Sequence, residues 1–247
     1  MEPILEFKNL NYSYHTLDGE VKALNNISFR IMPGEFVSIV GPSGCGKSTL
    51  LSLITGLLQP ESGSLYVRAN TAMGYMLQRD NLFEWRTVYN NILLGLEIQK
   101  KINPNSIEFV EKMITDYGLS QFKDSKPSQL SGGMRQRAAL IRTLALKPEI
   151  LLLDEPFSAL DYQTRLEVGD DIGKIIKSEG KTAILVTHDI SEAISMGDKI
   201  LILSKRPGTV KKIIPVNISL KDRTPMSTRF APEFKDIFNE VWKEMNE

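Results

Sequence analysis

Several stretches of the chain are short and almost unbroken in their apolar character. FVSIV at 36–40, EILLLD at 149–154 and TAILVT at 182–187 are runs of this kind, rich in branched residues. A run this short that does not alternate with polar positions reads as a strand buried on both faces. KILIL at 199–203 and TVKKII at 209–214 read as further strands near an edge. Upstream, ILEF at 4–7 and ISFRI at 27–31 alternate apolar with polar residues, as half-buried strands do, and Pro33-Gly34 punctuates a turn. SLYV at 64–67 and AMGYM at 72–76 are candidate strands flanking a turn.

The helical period appears elsewhere. STLLSLI at 48–54 opens a helix, with Gly56 near its end. From about 81 to 147 the pattern is helical throughout, over 88–99, 106–117 and 132–146, with Pro104, Gly118 and Pro127 at the breaks. A further helix spans roughly 163–178. Strands alternating with helices predict an α/β fold with a mostly parallel sheet and an antiparallel N-terminal β part. The 81–147 stretch is read as a helical insertion in that core. From about Pro225 the tail ends in a helix that puts Phe234, Ile237, Phe238, Val241, Trp242 and Met245 on one face. That stripe either packs on the protein's own surface or receives a partner.

Composition narrows the class. The 247 residues are 42% hydrophobic, enough for one large domain or one domain with an insertion. Thirty acidic residues balance thirty basic ones, so charge gives no case for nucleic acid as a partner. With a single cysteine, Cys45, no internal disulfide can form. The N-terminal segment has acidic residues early and no long apolar run, so it does not read as a signal peptide. No stretch approaches the roughly 20 apolar residues that cross a bilayer. A soluble, cytoplasmic protein is the expectation.

The chemistry concentrates in GPSGCGKS, residues 41–48, between a strand and a helix. The glycines Gly41, Gly44 and Gly46 let the backbone bend so that successive N–H groups point at phosphate oxygens. Pro42, Ser43 and Cys45 fill the loop, Cys45 as a small residue rather than a redox group. The helix N-terminus, beginning with Ser48 and Thr49, favours an anion. Lys47 can reach β- and γ-phosphates, and the Ser48 hydroxyl can ligate Mg²⁺. The loop therefore predicts ATP binding. Asp154, at the end of a buried strand, can hold Mg²⁺ directly or through water, and Glu155 can act as a general base on attacking water.

With these in place, LSGGMRQ at 130–136 resembles the signature motif of ATP-binding cassette (ABC) proteins. Ser131, Gly132 and Gly133 open a helix near Gly133 and offer a hydroxyl and backbone N–H groups to a γ-phosphate. The resemblance implies a P-loop NTPase core in which this motif serves ATP held by a second, identical subunit, two copies closing head to tail. It covers about residues 4–215. It implies that Gln78 senses metal and γ-phosphate, that Ser158-Ala-Leu-Asp161 touches the partner subunit, and that His188 is the switch histidine. His15, the other histidine, is assigned to a polar turn. Tyr14 resembles the aromatic that stacks on adenine; Tyr12, two residues away, is placed on the opposite side of the strand. The implied division is an ATPase domain over 4–230 and a separate amphipathic helix over 231–247.

The resemblance also implies transmembrane permease subunits as partners. Leu82, Phe83 and Trp85 lie where the family receives a permease coupling helix, although they could instead pack the insertion onto the core. Trp-Arg-Thr at 85–87 resembles importers of the nitrate, sulfonate and taurine group, which implies an extracytoplasmic solute-binding protein and a peripheral place on the cytoplasmic side of the membrane. A motor subunit of an exporter ranks second. A soluble cassette protein ranks third, because such chains usually carry two cassettes, coiled coils or zinc-binding cysteines. A small-molecule kinase would need neither the Ser131 motif nor the Ser158 loop.

Overall fold

The computed structural model describes residues 2–17, 19–158, 160–220 and 223–247. Two sheets form its frame. In the first, β1 (Leu5–Thr16) pairs antiparallel with β2 (Gly19–Ile31) and β4 (Ser62–Val67), giving the order β2-β1-β4. In the second, β5 (Met73–Met76), β6 (Ile150–Asp154), β7 (Thr182–Val186), β3 (Phe36–Val40), β8 (Lys199–Leu203) and β9 (Val210–Pro215) lie side by side in that order. All its pairings are parallel except β8 with β9.

The buried runs have the physical cause the sequence implied. In β6, Ile150 and Leu152 face a cluster built with β1 and α1 (Lys47–Ile54), while Leu151 and Leu153 face a second cluster built with helices. In β7, Ile184 and Val186 face the first cluster, Ala183 and Leu185 the second. A strand covered on both faces has no polar positions to alternate with.

The helical insertion holds α2 (Val88–Ile98), α3 (Pro104–Asp116) and α4 (Gly132–Leu144), and with α5 (Tyr162–Ser178) it covers the second face. Thr87, Asn103, Ser131 and Asp161 cap these four helices, each accepting a backbone N–H from the first turn.

Three readings need correction. His15 is not in a turn: it lies in β1 opposite Glu20, with Nε2 2.9 Å from Glu61 Oε1. The alternating segments at 4–7 and 27–31 are ends of two long strands that run on as a hairpin. Tyr12 and Tyr14 are on one side of β1, their rings edge to face at 5.1 Å, as the two-residue period of a strand requires. A short helix, α6 (Ile190–Met196), was not foreseen.

The tail forms α7 (Pro225–Thr228) and α8 (Pro232–Asn246). Val241 is fully buried, and Phe234, Ile237, Phe238 and Met245 pack against the cluster of α6 and β8. The stripe therefore covers the protein's own surface, and Trp242, 58% exposed, is its outlying member. No helix among the described residues is long and apolar enough to cross a membrane.

Candidate nucleotide site

Parallel strands place their carboxyl ends on one edge of the sheet, and loops leaving that edge form a crevice. Four of the predicted groups lie there. The phosphate loop leaves β3, Gln78 follows β5, Asp154 and Glu155 end β6, and His188 follows β7.

The loop depends on its glycines. Gly44 and Gly46 have φ of 76° and 103°, the left-handed region. A Cβ on Gly46 would lie 2.5 Å from Leu24 Cδ2, and one on Gly41 would lie 2.9 Å from Cys45 Sγ. Cys45 is buried, and burial pushes its thiol up, which suits a filler rather than a reactive group. Lys47 Nζ donates to the carbonyls of Gly41 and Pro42, at 2.8 and 3.0 Å. It is thus held in the loop that it would leave or share with phosphate oxygens. Around the loop is a cavity of about 330 Å³, lined by Tyr14, Ser43, Gly44, Gly46, Lys47, Ser48, Thr49 and Glu155, with Ala23 and Arg206. The Tyr14 hydroxyl lies 3.1 Å from Thr49 Oγ1, which ties the candidate adenine platform to the first turn of α1. A slightly larger cavity, about 430 Å³, lies between α3 and α5, away from these groups.

Ser48 Oγ donates to Asp154 Oδ1 at 3.3 Å, and Tyr75 Oη donates to Asp154 Oδ2 at 3.1 Å. Burial holds the Asp154 carboxyl above its ordinary range, against the two hydroxyl bonds, and the neighbouring Glu155 charge adds to the rise. A hydroxyl and a carboxylate in contact are hard oxygen donors of the kind Mg²⁺ takes, few in number because phosphates and waters complete its shell. Ser48 and Asp154 therefore fit Mg²⁺. Gln78 is differently placed: its amide Nε2 donates to Glu155 Oε2 at 3.2 Å and makes no hydrogen bond with Ser48 or Asp154.

Glu155 has φ 46°, a left-handed conformation uncommon for a residue with a side chain. Its N–H donates to the Val186 carbonyl at 2.9 Å, and its own carbonyl accepts from the N–H and hydroxyl of Ser158 at 3.2 and 3.0 Å. His188 Nδ1 lies 3.3 Å from Glu155 Oε2, so a single carboxylate oxygen faces both Gln78 and His188.

Ser131, Gly132, Gly133 and Asp161 line no part of this cavity. They stand instead at the starts of α4 and α5, which pack through Gly133 and Thr164. Ser131 Oγ accepts the Met134 N–H at 3.4 Å, and Asp161 accepts both the N–H and the hydroxyl of Thr164, at 3.1 and 2.7 Å. A Cβ on Gly133 would lie 2.6 Å from Thr164 Cγ2, so the two helix starts fit together only with glycine there. In the Ser158–Asp161 loop, Ala159 lies outside the described residues. Sequence reasoning missed Tyr75 and Arg206. Both sit at or beyond strand ends on the crevice edge, which was the available sign.

Leu82 is buried in the cluster of the insertion, whereas Phe83 and Trp85 stack at 4.5 Å and remain exposed, Trp85 at 72%. The packing alternative therefore holds for Leu82 and not for Trp85.

Residues 24–158 match the family model described as ABC transporter. The chain is 42% identical to the ABC transporter ATP-binding protein YtlC of Bacillus subtilis, over 98% of this chain and 95% of that one. It is 40% identical to the taurine import ATP-binding protein TauB of Pelagibacter ubique, over 83% and 80%. Among solved structures it resembles the dimeric post-hydrolysis state of the ATP-binding cassette MJ0796 bound to ADP and Pi. The TM-score is 0.75 at 31% identity, covering 86% of this chain and 99% of that one.

Proposed function

Because the chain belongs to the ABC transporter family and is an ATP-hydrolysing subunit of a transporter, we propose that it powers import of a small anionic or organic solute of the nitrate, sulfonate and taurine type. The similarity to taurine import proteins supports the direction and the solute class. Its partners are a second copy of itself, transmembrane permease subunits docked at Phe83 and Trp85, and an extracytoplasmic solute-binding protein. Its place is the cytoplasmic face of the membrane. Residues 4–230 form the ATPase domain, with the helix of 231–247 as an appendage.

The observation that carries the mechanism is the shared carboxylate oxygen of Glu155, within reach of both Gln78 and His188. Backbone N–H groups of the phosphate loop bind the phosphate chain, and Tyr14 stacks on adenine. Lys47 transfers its donors from the Gly41 and Pro42 carbonyls to β- and γ-phosphate oxygens. Ser48 and Asp154 would hold Mg²⁺, with Gln78 as a further candidate ligand, and the ion would supply positive charge that neutralises the β- and γ-phosphates. Glu155 accepts a proton from the attacking water, and His188 orients that carboxylate and contacts the γ-phosphate. Ser131, Gly132 and Gly133 of the second copy close over the same nucleotide, and Asp161 lies at the contact between copies. ATP binding thus closes two copies, and hydrolysis opens them.

The test is reconstitution in proteoliposomes with a permease that co-purifies with the chain and a solute-binding protein that stimulates it. ATP-dependent uptake of taurine, an alkanesulfonate or nitrate is expected. ATP-dependent efflux would replace import with export, and ATP turnover unresponsive to any permease would reject the transport role.

A further inference from the structure

The turn between β8 and β9 is docked on the phosphate loop. The turn closes on itself through Ser204 N–H to the Thr209 carbonyl at 3.0 Å and Thr209 N–H to Ser204 Oγ at 2.9 Å. It is fixed to β2 on one side, with Gly208 N–H donating to the Ala23 carbonyl and Asn25 N–H donating to the Gly208 carbonyl, both at 2.8 Å. On the other side Gly208 lies so close to the loop that a Cβ there would stand 2.1 Å from the Cys45 carbonyl oxygen. The turn therefore has one position relative to the loop, and Arg206 is the cation it extends to the loop.

Arg206 Nε donates to the Gly44 carbonyl at 3.2 Å, and one terminal nitrogen lies 3.2 Å from where a Gly44 Cβ would be. Arg206 also lines the 330 Å³ cavity together with Tyr14, Lys47 and Ser48. Among the described residues Gly44 is its only hydrogen-bond partner and no carboxylate pairs with it. Arg68, Arg86, Arg135, Arg165 and Arg223 each meet an acid, whereas Arg206 shares the lack of an ion pair with Arg30, Arg79, Arg142 and Arg229 and differs from them in lining the cavity around the phosphate loop. A guanidinium carries five N–H donors, and one of them is spent on Gly44. A cation with unspent donors and no protein counter-charge, fixed at the rim of a phosphate site, is matched to a phosphate oxygen.

We propose that Arg206 binds the phosphate chain of the nucleotide while bracing Gly44, a role that rests on ATP occupying the phosphate loop.

ATP and ADP titrations at several salt concentrations test this on the full chain, with Arg206→Gln, Arg206→Lys and Lys47→Ala in parallel. Arg206→Gln should weaken ATP binding on the order of tenfold, the effect of one charge-assisted hydrogen bond. It should also make the affinity less dependent on salt. Arg206→Lys, which keeps the charge, should keep the salt dependence of the parent and recover part of the affinity. Unchanged ATP affinity in Arg206→Gln overturns the proposal. So does weaker binding with an unchanged salt dependence, which would mean that Arg206 only braces the loop. If Lys47→Ala leaves ATP affinity unchanged, the nucleotide lies elsewhere and the phosphate-loop reading fails with it. A loss in Lys47→Ala with none in Arg206→Gln rejects Arg206 alone.

Discussion

Arg135 and Asp80 are joined by two hydrogen bonds, from Nε to Oδ2 at 2.9 Å and from Nη2 to Oδ1 at 3.2 Å. Arg135 stands in the first turn of α4, four residues after Ser131, and Asp80 stands two residues after Gln78. The same guanidinium meets Glu84 at 3.0 Å, and Arg142, two turns further along α4, donates to the carbonyls of Asp80 and Asn81 at 2.6 and 2.8 Å. The segment that carries Gln78, Phe83 and Trp85 is thereby bound to the helix that carries Ser131. A push on Phe83 and Trp85 from a permease would pass to the start of α4. Arg135→Met is expected to leave ATP affinity near that of the parent and to lower permease-stimulated ATPase activity several-fold. Comparing basal and permease-stimulated hydrolysis in proteoliposomes checks it, and equal stimulation would rule out this route.

The same pair fixes a pH dependence. Burial pushes the Asp80 carboxyl up, but the bonds from Arg135 and from the Leu82 N–H outweigh it and hold the group below the ordinary carboxylate range. A carboxyl lowered by folding contributes stability that is fully present above its unfolded pKa and is lost as pH falls through its folded one. Asp80→Asn should therefore cost about 1–2 kcal/mol at pH 7, the range of a partly buried hydrogen-bonded charge pair. The difference from the parent should shrink as pH falls below the ordinary carboxylate range. Urea titrations at neutral and acid pH would check the sign, and a gap that widens in acid would contradict it.

Glu155→Gln keeps the volume and the Gln78 side of the contact but removes the base. The variant should bind ATP, accumulate as a dimer with ATP, and lose turnover by roughly 10²–10⁴-fold, the scale of a general base. Size-exclusion chromatography with ATP and a phosphate-release assay would test it. Wild-type hydrolysis would reject the base assignment.

Lys47→Ala removes the ammonium that Gly41 and Pro42 now hold at 2.8 and 3.0 Å. Weaker ATP binding is expected in a direct titration. Because Lys47 is buried, its removal also leaves a gap under the loop, so a thermal melt should accompany the titration.

Much of this site was legible before the structure because its parts are sequence-local. A phosphate loop is a contiguous segment, and a buried strand such as β6 announces itself as Leu151, Leu152 and Leu153 in a row, with Asp154 following. Helix caps such as Ser131 and Asp161 act within three residues. Other features depend on contacts between distant segments. The β1–β2 hairpin is only half buried and contains register shifts near Leu10 and Tyr12, which break the alternation a strand would otherwise display. At seven residues α6 is too short for a helical period to stand out. Glu155 sharing one oxygen between Gln78 and His188, and Arg206 reaching back across the chain to Gly44, follow from the order of strands in the sheet, which no local pattern encodes.

Gly208 offers a test of whether the β8–β9 turn matters to the nucleotide site as a rigid support. The atom that an alanine methyl would strike is the Cys45 carbonyl oxygen at 2.1 Å, backbone that cannot rotate away as a side chain end could. Gly208→Ala must move either the turn or the phosphate loop. Overpacking of this kind costs about 1–3 kcal/mol. If the turn moves, Arg206 leaves Gly44 and the Ala23 and Asn25 bonds lengthen. If the loop moves, the N–H groups that receive phosphate lose their alignment. Both routes predict a lower melting temperature and weaker ATP binding together, and added ATP should restore less of the melting temperature than it does in the parent. Melting curves with and without ATP read both quantities in one experiment. A variant that melts early but gains as much from ATP as the parent would show that the turn supports the fold without shaping the nucleotide site.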